Sequence, residues 1–308
     1  MKKNTKTLVC FGEMLWDVLP TGKLPGGAPM NVAIHWQRTG NQAQLISRIG
    51  TDELGEELLN FLFSMGLTGE LVQKDAQYAT GTVLADTSNP SHVLYEIIQP
   101  VAWDFISLTK AERQAVQDAD FFVFGSLAAR SEESEATLKK LLEIAKCPVF
   151  DCNLRTPFYS KESIEVLLQA TKILKINDQE IGQLADWFGC QGSQEEIVRQ
   201  LAEQFSLSHV CVTLGAEGSA VLADNQWVTC PGFPVNVADT IGSGDAFLAT
   251  FLEGIASEKT LTEILTRANA VGALVASKPG AVPPVSNQEI QSMLNTPLVQ
   301  SKDVIPSF

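Results

Sequence analysis

The sequence predicts an α/β fold: a doubly wound, mostly parallel sheet flanked by helices, with a small β lid. Three observations carry that expectation. Short apolar runs alternate with longer amphipathic stretches, the order that builds β-α-β units. The short runs lack a polar face, as strands covered on both sides do. One region, residues 78–98, breaks the rhythm with two β-prone runs around Ser88-Asn89-Pro90-Ser91, which reads as a hairpin.

The strands are expected at 8–12 (LVCFG), 43–50 (AQLISRIG), 120–125 (DFFVFG), 148–153 (PVFDCN), 172–177 (KILKIN) and 209–215 (HVCVTLG). Helical periodicity places helices at about 28–39, 53–65, 132–146, 160–170, 178–188, 194–205, 246–257 and 260–276. Strand-like residues near 14–24 join 78–104 as the lid. An antiparallel addition to the edge of the main sheet fits the same pattern. The chain is read as one domain over 1–308, with the lid inserted and no clear periodicity from Thr296 onward.

Composition narrows the function. Hydrophobic residues make up 45% of 308 and charged residues only 19%, enough for a large core and too few charges for a disordered coat. The formal net charge of −14, with no basic cluster, argues against nucleic acid as a partner. The apolar run Leu8–Phe11 is too short for a signal peptide, and no run approaches a membrane span. Cys10, Cys147, Cys152, Cys190, Cys211 and Cys230 contain no C-x-x-C pair and read as core residues of a reduced cytoplasmic protein. His35, His92 and His209 form no transition-metal motif.

Two glycine-rich stretches carry the chemistry. DTIGSGD, residues 239–245, runs into a helical pattern. Gly242, Ser243 and Gly244 open the main chain to close approach, and a helix N-terminus behind them favours an anion. A capped helix start on a flexible turn would look the same in sequence. Asp245 tilts the reading, because a carboxylate at a helix mouth competes with an anion unless the chemistry uses it. Phosphoryl transfer does: Asp245 accepts the proton of an attacking hydroxyl while the backbone amides hold the developing charge. Neither a P-loop nor a G-x-G-x-x-G after the first strand is present.

PGGAPMNVA, residues 25–33, adds Gly26, Gly27 and Asn31 at the start of another helical pattern. GGAPMN and DTIGSGD, in that order and more than 200 residues apart, resemble the two signatures of the ribokinase-like (PfkB) carbohydrate kinases. The resemblance spans nearly the whole chain. It implies a ribokinase-like fold and an ATP- and Mg2+-dependent sugar kinase. Asp245 takes the place of the catalytic base, and Gly242, Ser243 and Gly244 that of its anion hole. Asp17, Gly26, Gly27 and Asn31 match the sugar-binding positions, with Asn153 able to reach the substrate and Arg155 to steady phosphate charge or the sugar. A surface ion pair would also account for Arg155.

Asn177 and Glu180 match an N-x-x-E element, Glu180 holding Mg2+ through water. A first-turn acid favoured by the helix dipole is the alternative for Glu180. Thr213, Gly215 and Gly218 resemble the nucleotide loop, and Asn269 lies near the adenine. Asp239 and Ile241 match the shell of a monovalent cation such as K+.

Ala28-Pro29 and Ala102-Trp103-Asp104 look more like fructokinases than like ribokinases or adenosine kinases. The absence of arginine other than Arg155 from the sugar-side segments favours a free sugar. Ribose, 2-keto-3-deoxygluconate or a nucleoside stay open as acceptors, as does a non-catalytic sugar- or nucleotide-binding regulator. A lid hairpin pairing with its twin would make a homodimer.

Overall fold

The computed structural model describes residues 5–20, 22–86 and 94–296. The chain divides into two compact units, Met1–Ala170 and Thr171–Phe308.

The first unit holds, in chain order, β1 (Thr7–Phe11), β2 (Leu15–Leu19), β3 (Gly22–Gly26), α1 (Ala28–Arg38), β4 (Gln42–Gly50), α2 (Glu53–Ser64), β5 (Val72–Asp75), β6 (Gly81–Asp86), β7 (Leu94–Ile97), α3 (Lys110–Asp118), β8 (Phe121–Gly125), α4 (Glu132–Leu142), β9 (Pro148–Asp151) and α5 (Lys161–Gln169). Five of these strands run in the order β9-β8-β1-β4-β5, every pairing parallel. Leu8, Val9, Cys10 and Phe11 of β1 are fully buried, as the unbroken apolar run requires of a central strand. Phe124 stacks on Phe150 across the β8–β9 pair, with ring centroids 5.1 Å apart.

The irregular region forms a sheet of its own, in the order β3-β2-β6-β7. Of the two sequence readings, the separate sheet is therefore the one found. It contains an antiparallel β2–β3 pair, a parallel β2–β6 pair and an antiparallel β6–β7 pair. The turn at 88–91 and the tail beyond Thr296 lie outside the described residues.

Polar clamps hold the root of this sheet. Asp52 caps α2 by accepting from the Gly55 amide at 2.8 Å, and it also accepts from the Thr80 amide and hydroxyl. Arg130 is 1% exposed in its side chain, pairs with both Asp104 oxygens at 2.6 and 2.8 Å, and donates to the Ile98 carbonyl just past β7. Its guanidinium lies 3.7 Å over the Trp103 ring.

The second unit holds β10 (Ile173–Asn177), α6 (Asp178–Phe188), α7 (Gln194–Gln204), β11 (His209–Thr213), β12 (Ser219–Ala223), β13 (Gln226–Cys230), α8 (Ser243–Ala256), α9 (Leu261–Ala276) and α10 (Asn287–Leu294). β10 and β11 pair in parallel, and β12 and β13 continue antiparallel. That hairpin was not expected, although its turn carries a signal. Asp224 and Asn225 both have positive φ, 48° and 61°, as a two-residue hairpin turn needs.

β5, α3 and α10 also went unread, being short and largely polar on their open sides. α8 starts at Ser243 rather than 246, which puts Asp245 inside the first turn. Ala246, Val271, Leu274, Val275 and Ile290 pack α8, α9 and α10 into one apolar cluster.

Candidate active site

In the first unit, the proposed sugar-side residues gather around the start of α1. The N-cap is Gly27, at φ 112°, and no side chain caps the helix from that position. A Cβ on Gly27 would collide with the Glu13 carbonyl, and one on Gly26 with the Asp17 carboxylate. Gly27 is thus required by packing, its neighbour being main chain, whereas at Gly26 the obstacle is a carboxylate that can turn aside. The Glu13 carboxylate accepts from the Ala28 amide at 3.2 Å, doing from a distant loop what an N-cap side chain does elsewhere. Asn31, 3% exposed, sits in the first turn, its amide bonded to the Gly27 carbonyl at 3.0 Å.

Asp17 lies on β2, paired in register with Leu24 of β3 and Val83 of β6. A cavity of about 10 Å3, room for roughly one water, is lined by Ala28, Pro29, Asp151 and Asn153 among others. Asn153 has φ 41°, and its carbonyl accepts from the Ser126 hydroxyl at 3.2 Å. Arg155 is exposed and donates only to the neighbouring Leu154 carbonyl, at 3.4 Å; among the described residues it makes no ion pair.

In the second unit, α8 likewise begins on a glycine. Gly242 has φ 77°, and a Cβ there would strike the Ala281 carbonyl. Ser243 donates from its amide and hydroxyl to the Thr240 carbonyl. Asp245, 9% exposed, stands in the first turn. Asp239 braces the loop, accepting from the Ile241 amide at 3.0 Å and the Gly280 amide at 3.2 Å.

Sequence reasoning missed Lys175. This β10 residue is 8% exposed, and its Nζ would lie 3.2 Å from a Cβ on Gly244. A buried ammonium beside a helix N-terminus has the wrong sign for the dipole. It belongs there when anionic groups share the space. The signal was a lone lysine inside the apolar strand ILKIN.

Asn177 and Glu180 form a reciprocal capping box at α6. The Asn177 Oδ1 accepts from the Gln179 and Glu180 amides, and Glu180 Oε2 accepts from the Asn177 amide at 2.9 Å. Glu180 is 5% exposed. Thr213 ends β11, with its hydroxyl 3.4 Å from the Ile176 carbonyl. Gly215 and Gly218 follow at φ 55° and 104°, and a Cβ on Gly218 would overlap the Cys230 carbonyl.

The amide of Asn269 donates to the Cys230 and Pro231 carbonyls, each at 3.1 Å, and its oxygen accepts from Ser219 at 2.9 Å. It ties α9 to the β12–β13 hairpin. A cavity of about 430 Å3 along α8 and α9 is lined by none of the residues singled out from the sequence. No helix among the described residues is long and apolar enough to cross a membrane.

A mostly parallel α/β core, a separate four-stranded sheet and two glycine-started helices define a ribokinase-like fold. A fructokinase from Xylella fastidiosa solved with bound ATP superposes with a TM-score of 0.82 at 22% identity, over 94% of this chain and 98% of that one. The model of the pfkB family of carbohydrate kinases matches residues 5–288, so the chain belongs to that family and is a sugar kinase.

An uncharacterized sugar kinase from Pyrococcus horikoshii is 32% identical, over 87% of this chain and 85% of its own length. Fructokinase-2 of Solanum lycopersicum is 29% identical over 90% and 92%.

Proposed function

We propose that this chain transfers the γ-phosphoryl group of ATP to a hydroxyl of a free sugar, and that the sugar is fructose. The observation that carries the transfer is the start of α8: a glycine turn that admits no Cβ, a first-turn carboxylate, and a buried ammonium beside Gly244. Anion, base and countercharge are all provided for within one helical turn.

Phosphate fits this cradle by sign. Bound with Mg2+, ATP supplies the transferable group and its leaving group. Glu180 suits Mg2+ through water, since one carboxylate near a capped helix start cannot replace an octahedral shell. Support for ATP comes from relatives: the Xylella fructokinase and the Pyrococcus sugar kinase were each solved with it.

Asp17 and Asn31 hold acceptor hydroxyls, while Gly26 and Gly27 let the ring approach the main chain. Asn153 offers a further polar contact, and Arg155, exposed on its loop, can swing to the phosphates. Asp245 takes the proton of the attacking hydroxyl. The amides of Gly242 and Gly244, with Lys175, balance charge on the group in flight, joined by the Ser243 amide once it leaves the Thr240 carbonyl. Thr213, Gly215 and Gly218 form the nucleotide loop. Asn269 supports the adenine side by fixing the hairpin rather than by offering its own amide. The loop braced by Asp239, with the Ile241 carbonyl, carries a monovalent cation. The four-stranded sheet serves as the lid that excludes water.

Fructose is favoured by the named relatives and by a fructokinase from Vibrio cholerae solved with fructose, ADP and potassium. The test is ADP release with ATP and Mg2+ against fructose, ribose, glucose, 2-keto-3-deoxygluconate, fructose 6-phosphate and adenosine, with Asp245→Asn alongside. Fructose should give the highest kcat/KM, and the variant should lose about 10³-fold in kcat. A better rate on another acceptor moves the substrate, and an undiminished Asp245→Asn removes the base.

A further inference from the structure

The start of α1 differs from the ordinary helix ends of this chain in where its cap comes from. Asp52, Thr109, Ser160, Asn177, Ser193, Thr260 and Ser286 each cap their own helix from the N-cap position. Gly27 cannot, and the Ala28 amide is met instead by Glu13, fourteen residues upstream of the N-cap in the link between β1 and β2.

Glu13 is 4% exposed. Its peptide also lies flush against Gly27, where a side chain would collide with the Glu13 carbonyl and crowd the Met14 Cα at 3.3 Å. Next to it, Gly12 has φ 143°, and a Cβ there would stand 2.9 Å from Pro29. The 12–14 link and the 26–29 turn are therefore interlocked at three points, one of them polar and charged.

A buried carboxylate is costly to desolvate, and a neutral Asn or Ser at position 27 would cap the helix at less expense. Residue 27 is not free to be either, because of the Glu13 peptide and the φ of 112°. The charge has moved one segment away so that the turn can remain bare.

From this we propose that Glu13 is a positioning residue for the acceptor sugar. It fixes the first turn of α1, and with it Gly26, Gly27 and Asn31, in the conformation that receives the hydroxyls. The inference rests on the reading of that turn as the sugar site. Glu13 touches no reacting atom, and its effect should fall on sugar binding alone. Its oxygen, more than its charge, does the holding.

The experiment compares Glu13→Ala and Glu13→Gln with the parent chain in steady-state kinetics and in hydrogen exchange of peptides covering residues 26–33. In Glu13→Ala, the sugar KM should rise at least tenfold, with the ATP KM and sugar-independent ATP hydrolysis within twofold of the parent. Exchange should quicken at 26–33 and stay unchanged in α8. Glu13→Gln, which keeps an acceptor for the Ala28 amide, should recover the KM to within about threefold.

Equal loss of sugar and ATP affinity, or quickened exchange at 26–33 with an unchanged sugar KM, overturns the proposal. A Glu13→Gln variant as poor as Glu13→Ala does so too. If the parent turns over no sugar while exchange still responds at 26–33, the sugar-kinase reading of this turn has failed separately from the structural role of Glu13.

Discussion

Among the described residues two helices begin on glycine, and they solve the same problem in opposite ways. α1 receives a carboxylate from Glu13 onto its first amide, which neutralises the end and leaves a turn suited to a neutral polyol. α8 has its acid, Asp245, three positions past the N-cap and a buried ammonium, Lys175, beside Gly244. It is a place for an anion. Seven other helices among the described residues carry an ordinary side-chain cap, whereas at these two starts the backbone packs too closely for one, Gly27 against the Glu13 carbonyl and Gly242 against the Ala281 carbonyl. α4 is different again: Ser131 precedes it without capping it, its hydroxyl donating to the Asp104 carbonyl.

The largest expected effect that sharpens this contrast is at Lys175. Replacing it with Met removes the countercharge while keeping a flexible apolar stem. We expect kcat to fall about 10²-fold, on the scale of losing one donor to a developing oxyanion, with the sugar KM unchanged. A normal kcat with a lowered melting temperature would make Lys175 a structural ion and leave α8 no different from α1.

At α1 the corresponding change is Asn31→Ala. Removing the side chain proposed to bond a hydroxyl should raise the sugar KM roughly 10- to 30-fold, or about 1.5–2 kcal/mol. The ATP KM should stay put. Kinetics with both substrates varied, alongside a melting curve, separate this from a packing defect. A parallel rise in both KM values would mean that α1 does not discriminate the acceptor.

Legibility followed the same division. GGAPMN and DTIGSGD stand out because two glycines at a helix start open the main chain to close approach. The apolar runs of β1, β4, β8, β9, β10 and β11 were readable because buried strands have no polar face. Lys175 was passed over although it is a lone lysine in an apolar strand, because its place beside Gly244 depends on how distant segments fold together. The Glu13 cap could not be read from sequence at all, as it depends on a contact between segments 15 residues apart. The contacts of Asn269 were equally out of reach of the sequence, because its polar atoms hold the hairpin of β12 and β13, itself unread.

The smallest effect concerns a helix end of the capped kind, and it tests whether caps and glycines divide the labour as argued. Burial pushes the Asp52 carboxyl up, but the Thr80 hydroxyl and amide and the Gly55 amide outweigh it and hold it below the ordinary carboxylate value. A depressed acid contributes stability above its unfolded pKa, near 3.9, and loses it as pH falls through the lower folded value. Asp52→Asn keeps one acceptor and lacks the charge. It should therefore melt about 2–4 °C below the parent at pH 7, corresponding to about 1 kcal/mol of cap. The gap should shrink as pH drops below 4, because the parent then protonates too. Turnover and both KM values should stay within twofold throughout. A pH-independent gap would assign the loss to shape rather than charge. A kcat that fell with it would show that the clamp between Asp52 and Thr80 reaches into the reaction, and that capped ends in this chain are not confined to stability.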